Sequence, residues 1–204
     1  MIELASAYTE GLDREWARMS ASGTWWTGAQ RVALAAAARA AREGDELPDV
    51  DLPAPAVEAA VRLSVDPHVD QAWVADLVAR GLALEPYVEI LAVVSRIAAV
   101  DTFLFAIGHQ QRPLPDEGSH TEPTRELVAE ATIQGAFVPT TGVPFPPTAL
   151  TAVPPEGEAL GDLHTVLYLS MFDMGDQALV RDDLSRIQIE LVAARTSLLN
   201  DCGY

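Results

Sequence analysis

The stretch Arg181–Tyr204, RDDLSRIQIELVAARTSLLNDCGY, holds the only cysteine of the 204-residue chain, Cys202. Leu184, Ile187, Leu191, Ala194 and Leu198 recur at steps of three and four, which puts them on one face of a helix. The spacing predicts an amphipathic helix packed on a core. Asp182 and Asp183 fall in its expected first turn, where negative charge suits the helix dipole. Glu190 lies beside the apolar seam, between Ile187 and Ala194. Asn200 and Asp201 favour caps and turns over helix interiors. They read as a break, followed by a new helix with Cys202 in its first turn, where backbone N–H groups favour a thiolate. The break matters because Glu190 and Cys202 are twelve residues apart. One unbroken helix would separate them by roughly 18 Å, too far for the carboxylate to help the thiol.

The segment QIELVAARTSLLNDCGY resembles the approach to the CxxC active site of the AhpD-like alkylhydroperoxidases, which group with the carboxymuconolactone decarboxylase-like proteins. The family motif runs C-x-x-C-x3-H, with a Glu twelve residues before the first Cys. Glu190 and Cys202 match that Glu and that Cys, whereas the second Cys and the His would fall at 205 and 209, past Tyr204. The resemblance implies a helical bundle and a peroxide-reducing thiol enzyme. It implies Glu190 in a proton relay, Cys202 as the resolving thiol, and a disulfide reductant protein as partner. Some family members carry selenocysteine in the motif. A UGA codon after Tyr204 is therefore one expectation for the stop, and truncation of the gene is the other.

Composition narrows the alternatives. Hydrophobic residues make up 49% of the chain, ample for a core. The most apolar run, Tyr87–Gly108, carries Glu89, Arg96 and Asp101, so no membrane span is expected. The acidic start MIELASAYTEGLDREW lacks the basic region of a signal peptide, and a cytoplasmic protein is expected. A net charge of −17 argues against nucleic acid and anionic membranes as partners. All thirteen basic side chains are arginines, which excludes Schiff-base chemistry. One cysteine excludes an internal disulfide.

Elsewhere the pattern is helical, and the expected fold class is all-α. Residues 1–22 form a weakly amphipathic helix with Trp16 against the body. Trp25 and Trp26, flanked by Gly23 and Gly28, read as a hydrophobic lid. Ala29–Glu43 is an alanine-rich helix ended by Gly44. Pro53 and Pro55 open a helix over Ala56–Ser64. Asp66–Pro67 is expected to cap another over His68–Arg80, with Trp73, Val74 and Leu77 on its apolar face and Gly81 at its end. Tyr87–Ile107 is apolar on nearly every side and thus buried, in the subunit or in a homo-oligomer. Its Glu89, Arg96 and Asp101 are expected to pair with neighbours, because a buried unpaired charge is costly. Pro123 opens an expected short helix to about Gln134. Six prolines in Gly135–Gly157 forbid regular helix there. Glu158–Asp173 returns to helix, with Leu160, Leu163, Val166, Leu167 and Met171 inward.

The run YVEILAVVSRIAAVDTFLFAIG is also similar to the helix that follows the CxxC helix in AhpD-like domains. Residues 30–42 align with 185–197, which places Ala35 opposite Glu190 and Leu47 opposite Cys202. The expected organisation is therefore a degenerate repeat over 1–112, a proline-rich linker over 113–157, and the start of a second repeat over 158–204.

The candidate site residues are Glu190 and Cys202. A purely structural alternative pairs Glu190 with Arg186, one turn earlier, and leaves Cys202 a free thiol. His68, His109, His120 and His164 show no metal-ligand spacing, and no phosphate-binding or nucleophile-elbow motif points to a cofactor. Two other functions stand beside peroxide reduction. One is a non-catalytic helical assembly or binding subunit. The other is decarboxylase-like acid–base chemistry with Glu190 as the acid/base.

Overall fold

A computed structural model describes residues 3–66, 68–144 and 148–199. The fold is all-α. Its helices are α1 (Ser6–Ser20), α2 (Gly28–Glu43), α3 (Ala54–Val65), α4 (Gln71–Ala79), α5 (Leu84–Ala106), α6 (Pro154–Leu167) and α7 (Arg186–Leu199). One small antiparallel hairpin, β1 (Val180–Arg181) with β2 (Leu184–Ser185), precedes α7.

Helix α5 is the axis. Val88, Ile90, Val93, Ile97 and Val100 are buried on several of its sides, as its all-round apolar pattern requires. Helices α2, α3 and α6 pack against it, and α1 packs against α2 and α6. Alanines make the α2–α3 contact: Ala35, Ala38, Ala56, Ala59 and Ala60 are all fully buried, so the two backbones approach closely. Thr27 caps α2 with its hydroxyl on Gln30 N, while the Gln30 side chain accepts from Thr27 N. Gly44 ends the helix at φ 73°, in the left-handed region. The tryptophan lid takes its expected place: Trp26 is buried and donates from Nε1 to Pro86 O at 3.0 Å. Trp16 is buried too and donates to Pro113 O.

Five expectations need correction. Helix α4 starts at Gln71 instead of His68, because the Asp70 side chain takes the Trp73 N–H at 2.8 Å and fixes the N-terminus there. Residues 123–134 are not helical: Arg125 N donates to Thr24 O and Thr132 bridges Thr140, so long-range backbone pairing replaces local turns. Helix α6 starts at Pro154 and stops at Leu167, which leaves Met171 exposed. Asp182 and Asp183 form the hairpin turn, at φ 50° and 65°, before the helix begins. Finally, the apolar seam of α7 is not packed on the core. Ile187 is 79%, Leu191 70% and Leu198 67% exposed.

Between α5 and α6 the chain runs over the body. Ser119 N donates to Ser20 O and Ser119 O accepts from Ala29 N, which stitches this segment across the α1–α2 junction. Val138, Leu150, Ala152 and Val153 are buried, so the proline-rich segment contributes to the core. Among the described residues, no helix is long and apolar enough to cross a membrane.

Candidate functional site

Glu190 is positioned by the hairpin and by the end of α6. Arg181 reaches back to the last turn of α6, where its guanidinium donates to the carbonyls of Thr165, Val166 and Tyr168. Those carbonyls have no partner further along the helix, so a cation there satisfies them and suits the dipole. At the start of α7, Arg186 is buried and donates to Asp173 O at 3.3 Å and Met174 O at 3.0 Å. Its Nη2 also lies 2.7 Å from Glu190 Oε1. Tyr168 donates its hydroxyl to the same Oε1 at 2.6 Å. Burial, with the bond to Glu190 added, pushes the Tyr168 phenol up to about 12, so it remains a donor at physiological pH. The Glu190 side chain is 46% exposed: held at one oxygen, open to solvent beyond it.

The inner face of α7 closes a cavity of about 450 Å³ against Tyr8 and Leu167, with Ile189, Val192 and Ala193 among its walls. Cys202, Asn200 and Asp201 lie outside the described residues, and so does the expected break between the two site residues. The structure thus places one member of the expected pair. Glu190 has the Arg186 partner that its spacing implies, and in addition Tyr168, which the sequence reading misses. Nothing local announces Tyr168: it is 22 positions away and arrives through the turn after α6.

A second constellation is fully buried. Arg31 on α2 lies 2.6 Å from both Glu89 on α5 and Glu156 on α6. Arg96 on α5 lies 2.7 Å from Glu15 on α1 and 2.6 Å from Glu156. Glu156 therefore bridges the two guanidiniums, and Glu89 also accepts from Trp25 N at 2.7 Å. None of these five side chains is more than 3% exposed. The pairing of Glu89, Arg96 and Asp101 follows from the α5 pattern, and Asp101 indeed holds Arg39 and Arg42. Glu15, Arg31 and Glu156 are not anticipated by it. Yet each sits in the apolar register of its own helix: Glu15 with Leu12, Trp16 and Met19; Arg31 with Leu34, Ala35 and Ala38; Glu156 with Ala159 and Leu163. A charge at a core position is the signal that could have found them.

Three carboxylates meet two buried guanidiniums, and a third, from the partly exposed Arg18, lies 3.8 Å from Glu15 at the edge of the cluster. Burial pushes Glu15 and Glu89 above the ordinary carboxylate range, against the pull of their arginines. Glu156 feels the same burial, but Arg96 and Arg31 together hold it below that range. The signs therefore oppose. Glu156 contributes stability that is present above its unfolded pKa and lost as pH falls through its folded one. Glu15 and Glu89 contribute stability that is present below the unfolded pKa and lost as pH rises through the folded one. Glu156→Gln is expected to lower the urea midpoint at pH 7, with the deficit shrinking as pH falls below about 4. For Glu89→Gln the variant should gain on the wild type as pH rises from about 4. Parallel pH trends in the two variants would refute this assignment.

Among the described residues, no group of three or more His, Cys, Asp and Glu side chains is placed to hold a metal ion. Fold and site together define an all-α protein with a buried ion network and a partly exposed, doubly held glutamate beside an apolar cavity. Comparison with protein-family models, with curated proteins and with solved structures finds no match.

Proposed function

We propose that the chain supplies the Glu190–Cys202 arm of an AhpD-like, peroxide-reducing thiol oxidoreductase. The observation that supports this reading best is the setting of Glu190. Tyr168 and Arg186 hold one carboxylate oxygen, the rest of the group meets solvent, and an apolar cavity lies along the same helix. A proton-accepting carboxylate needs that combination of fixed orientation and access to water. A cytoplasmic site belongs to the reading, since the thiols must be returned to the reduced state.

In this chemistry the second redox residue of the motif, as thiolate or selenolate, attacks the outer oxygen of a hydroperoxide. The O–O bond breaks, an alcohol leaves with a proton, and a sulfenic or selenenic acid forms. Glu190, through water and the motif's His, accepts the proton of that second residue, and Cys202 as the resolving thiol then attacks its sulfur or selenium. Hydroxide leaves, is protonated to water, and a disulfide or selenenylsulfide closes. A dithiol reductant protein restores both groups by exchange.

The test uses protein isolated from its native source, weighed intact and assayed with an organic hydroperoxide and a dithiol reductant. The mass, set against 21.9 kDa for the 204 residues, establishes whether positions 205 and 209 are in the molecule assayed. Turnover abolished by Cys202→Ser and cut about 100-fold by Glu190→Gln is the expected result. Turnover insensitive to Cys202→Ser but lost in Glu190→Gln would shift the assignment to acid–base chemistry. No turnover, whether at 21.9 kDa or with the whole motif present, overturns the proposal.

A further inference from the structure

The exposed seam of α7 has a use that the peroxide reading does not supply. Leu184, Leu191 and Leu198 fall at seven-residue intervals, and Ile187 and Ala194 repeat between them. Leu184 itself belongs to β2, so on α7 the a and d positions of a heptad are Leu191 and Leu198 at a and Ile187 and Ala194 at d. With Ile187, Leu191 and Leu198 each about two-thirds exposed or more, the seam faces solvent. It is flanked on one side by Glu190, at g, and on the other by Arg195, at e. Arg195 is exposed and has no ion pair among the described residues. Both bonds to Glu190 fall on Oε1.

We propose that α7 is a self-association helix, which pairs with α7 of a second copy of this chain in parallel, about a two-fold axis. The flanking charges select both the occupant and the direction. In a parallel pair a g residue meets the e residue five positions on in its partner, so Glu190 meets Arg195 of the second copy, twice by symmetry. In an antiparallel pair g faces g and e faces e, which would set Glu190 near Ser197 and Arg195 near Gln188, with no ion pair. Ala194 at the central d position lets the helices approach closely.

The charge distribution agrees. Residues 184–199 carry Arg186 and Arg195 against Glu190, a net +1, so the rest of the −17 chain carries −18. Two copies thus meet across α7 with least repulsion. Added salt should strengthen the pair by screening the two acidic bodies. Two heptads make a short seam, and a dissociation constant on the order of 10 μM is expected.

Sedimentation equilibrium on the full chain from about 1 to about 100 μM reads the association directly. The expected mass rises from 21.9 kDa towards twice that value. Leu191→Glu, at an exposed position, should weaken the pair at least tenfold and leave the fold intact by circular dichroism. In a Cys202→Ser background, Ala194→Cys should cross-link to a dimer under mild oxidation and Gln188→Cys should not. A folded monomer across the whole range overturns the proposal. So does a dimer indifferent to Leu191→Glu, or equal cross-linking at positions 188 and 194. So does an Ala194→Cys monomer whose introduced thiol is shielded from thiol reagents by the chain's own residues. Because Cys202→Ser removes the redox thiol and spares the seam, failure of this proposal and failure of the peroxide reading are separable.

Discussion

Arg96→Met is expected to lower the unfolding free energy by about 3–5 kcal/mol, the usual cost of breaking a buried ion pair from one side. Arg96 is 1% exposed and binds Glu15 and Glu156, which are almost as buried. Methionine matches much of the volume, so the loss is electrostatic: Glu15 and Glu156 stay out of water with one buried cation fewer, facing only Arg31 and the partly exposed Arg18. At a urea slope of about 2 kcal/mol per M, the midpoint should fall by about 1.5–2.5 M. The triple variant Glu15→Leu, Arg96→Met, Glu156→Leu keeps the balanced Arg31–Glu89 pair and should recover most of the loss. Replacing a whole buried network with apolar groups is often close to neutral. A single variant within about 1 kcal/mol of wild type would mean that these charges are solvated.

Gly118→Ala is expected to cost about 2–4 kcal/mol, the high end of overpacking effects. A Cβ on Gly118 would overlap the backbone of Gly28 and Ala29, where the crossing segment bonds to the start of α2. Backbone cannot rotate aside as a side chain can. The Ser119–Ser20 and Ala29–Ser119 bonds hold the crossing at 2.7 and 3.0 Å, so relief would break them. Gly161 is the control. It lies inside α6 with nothing within 4 Å of an added Cβ, and Gly161→Ala should stabilise by about 0.5–1 kcal/mol. The urea midpoints of the two variants should move in opposite directions, and equal midpoints would refute the close approach at Gly118.

The helices are legible where a local rule governs them. Gly44 ends α2 because only the left-handed region closes that cap, and the all-round apolar α5 is buried because no other placement hides it. Legibility fails where distant groups decide. Residues 123–134 have a helical composition, but Thr24 and Thr140 take up backbone groups that a helix would use internally. Two aspartates compete to cap α4, and Asp70 prevails by a bond to Trp73 N that spacing alone does not rank. Asp182–Asp183 looks like the acidic first turn of a helix and also like a left-handed hairpin turn; the cross-strand pairing of Val180 with Ser185 selects the latter. The expected seam of α7 lies in solvent, and Val192 and Leu199 beside it are exposed too, because periodicity marks apolar positions and not what covers them. For the candidate site, Glu190 and its Arg186 partner follow from sequence. Tyr168 does not, nor do Glu15, Arg31 and Glu156 as the partners of Glu89 and Arg96, because each of these bonds joins residues far apart in the chain.

The segment around Arg125 is exposed and carries a left-handed residue on the surface of the body. A break in the chain there would divide it into an amino-terminal piece with α1–α5 and a carboxy-terminal piece with α6 and α7. Glu156 belongs to the second piece, whereas Arg31 and Arg96, which grip it, belong to the first. The buried network thus works as a clasp that fastens the carboxy-terminal half of the chain to the amino-terminal half.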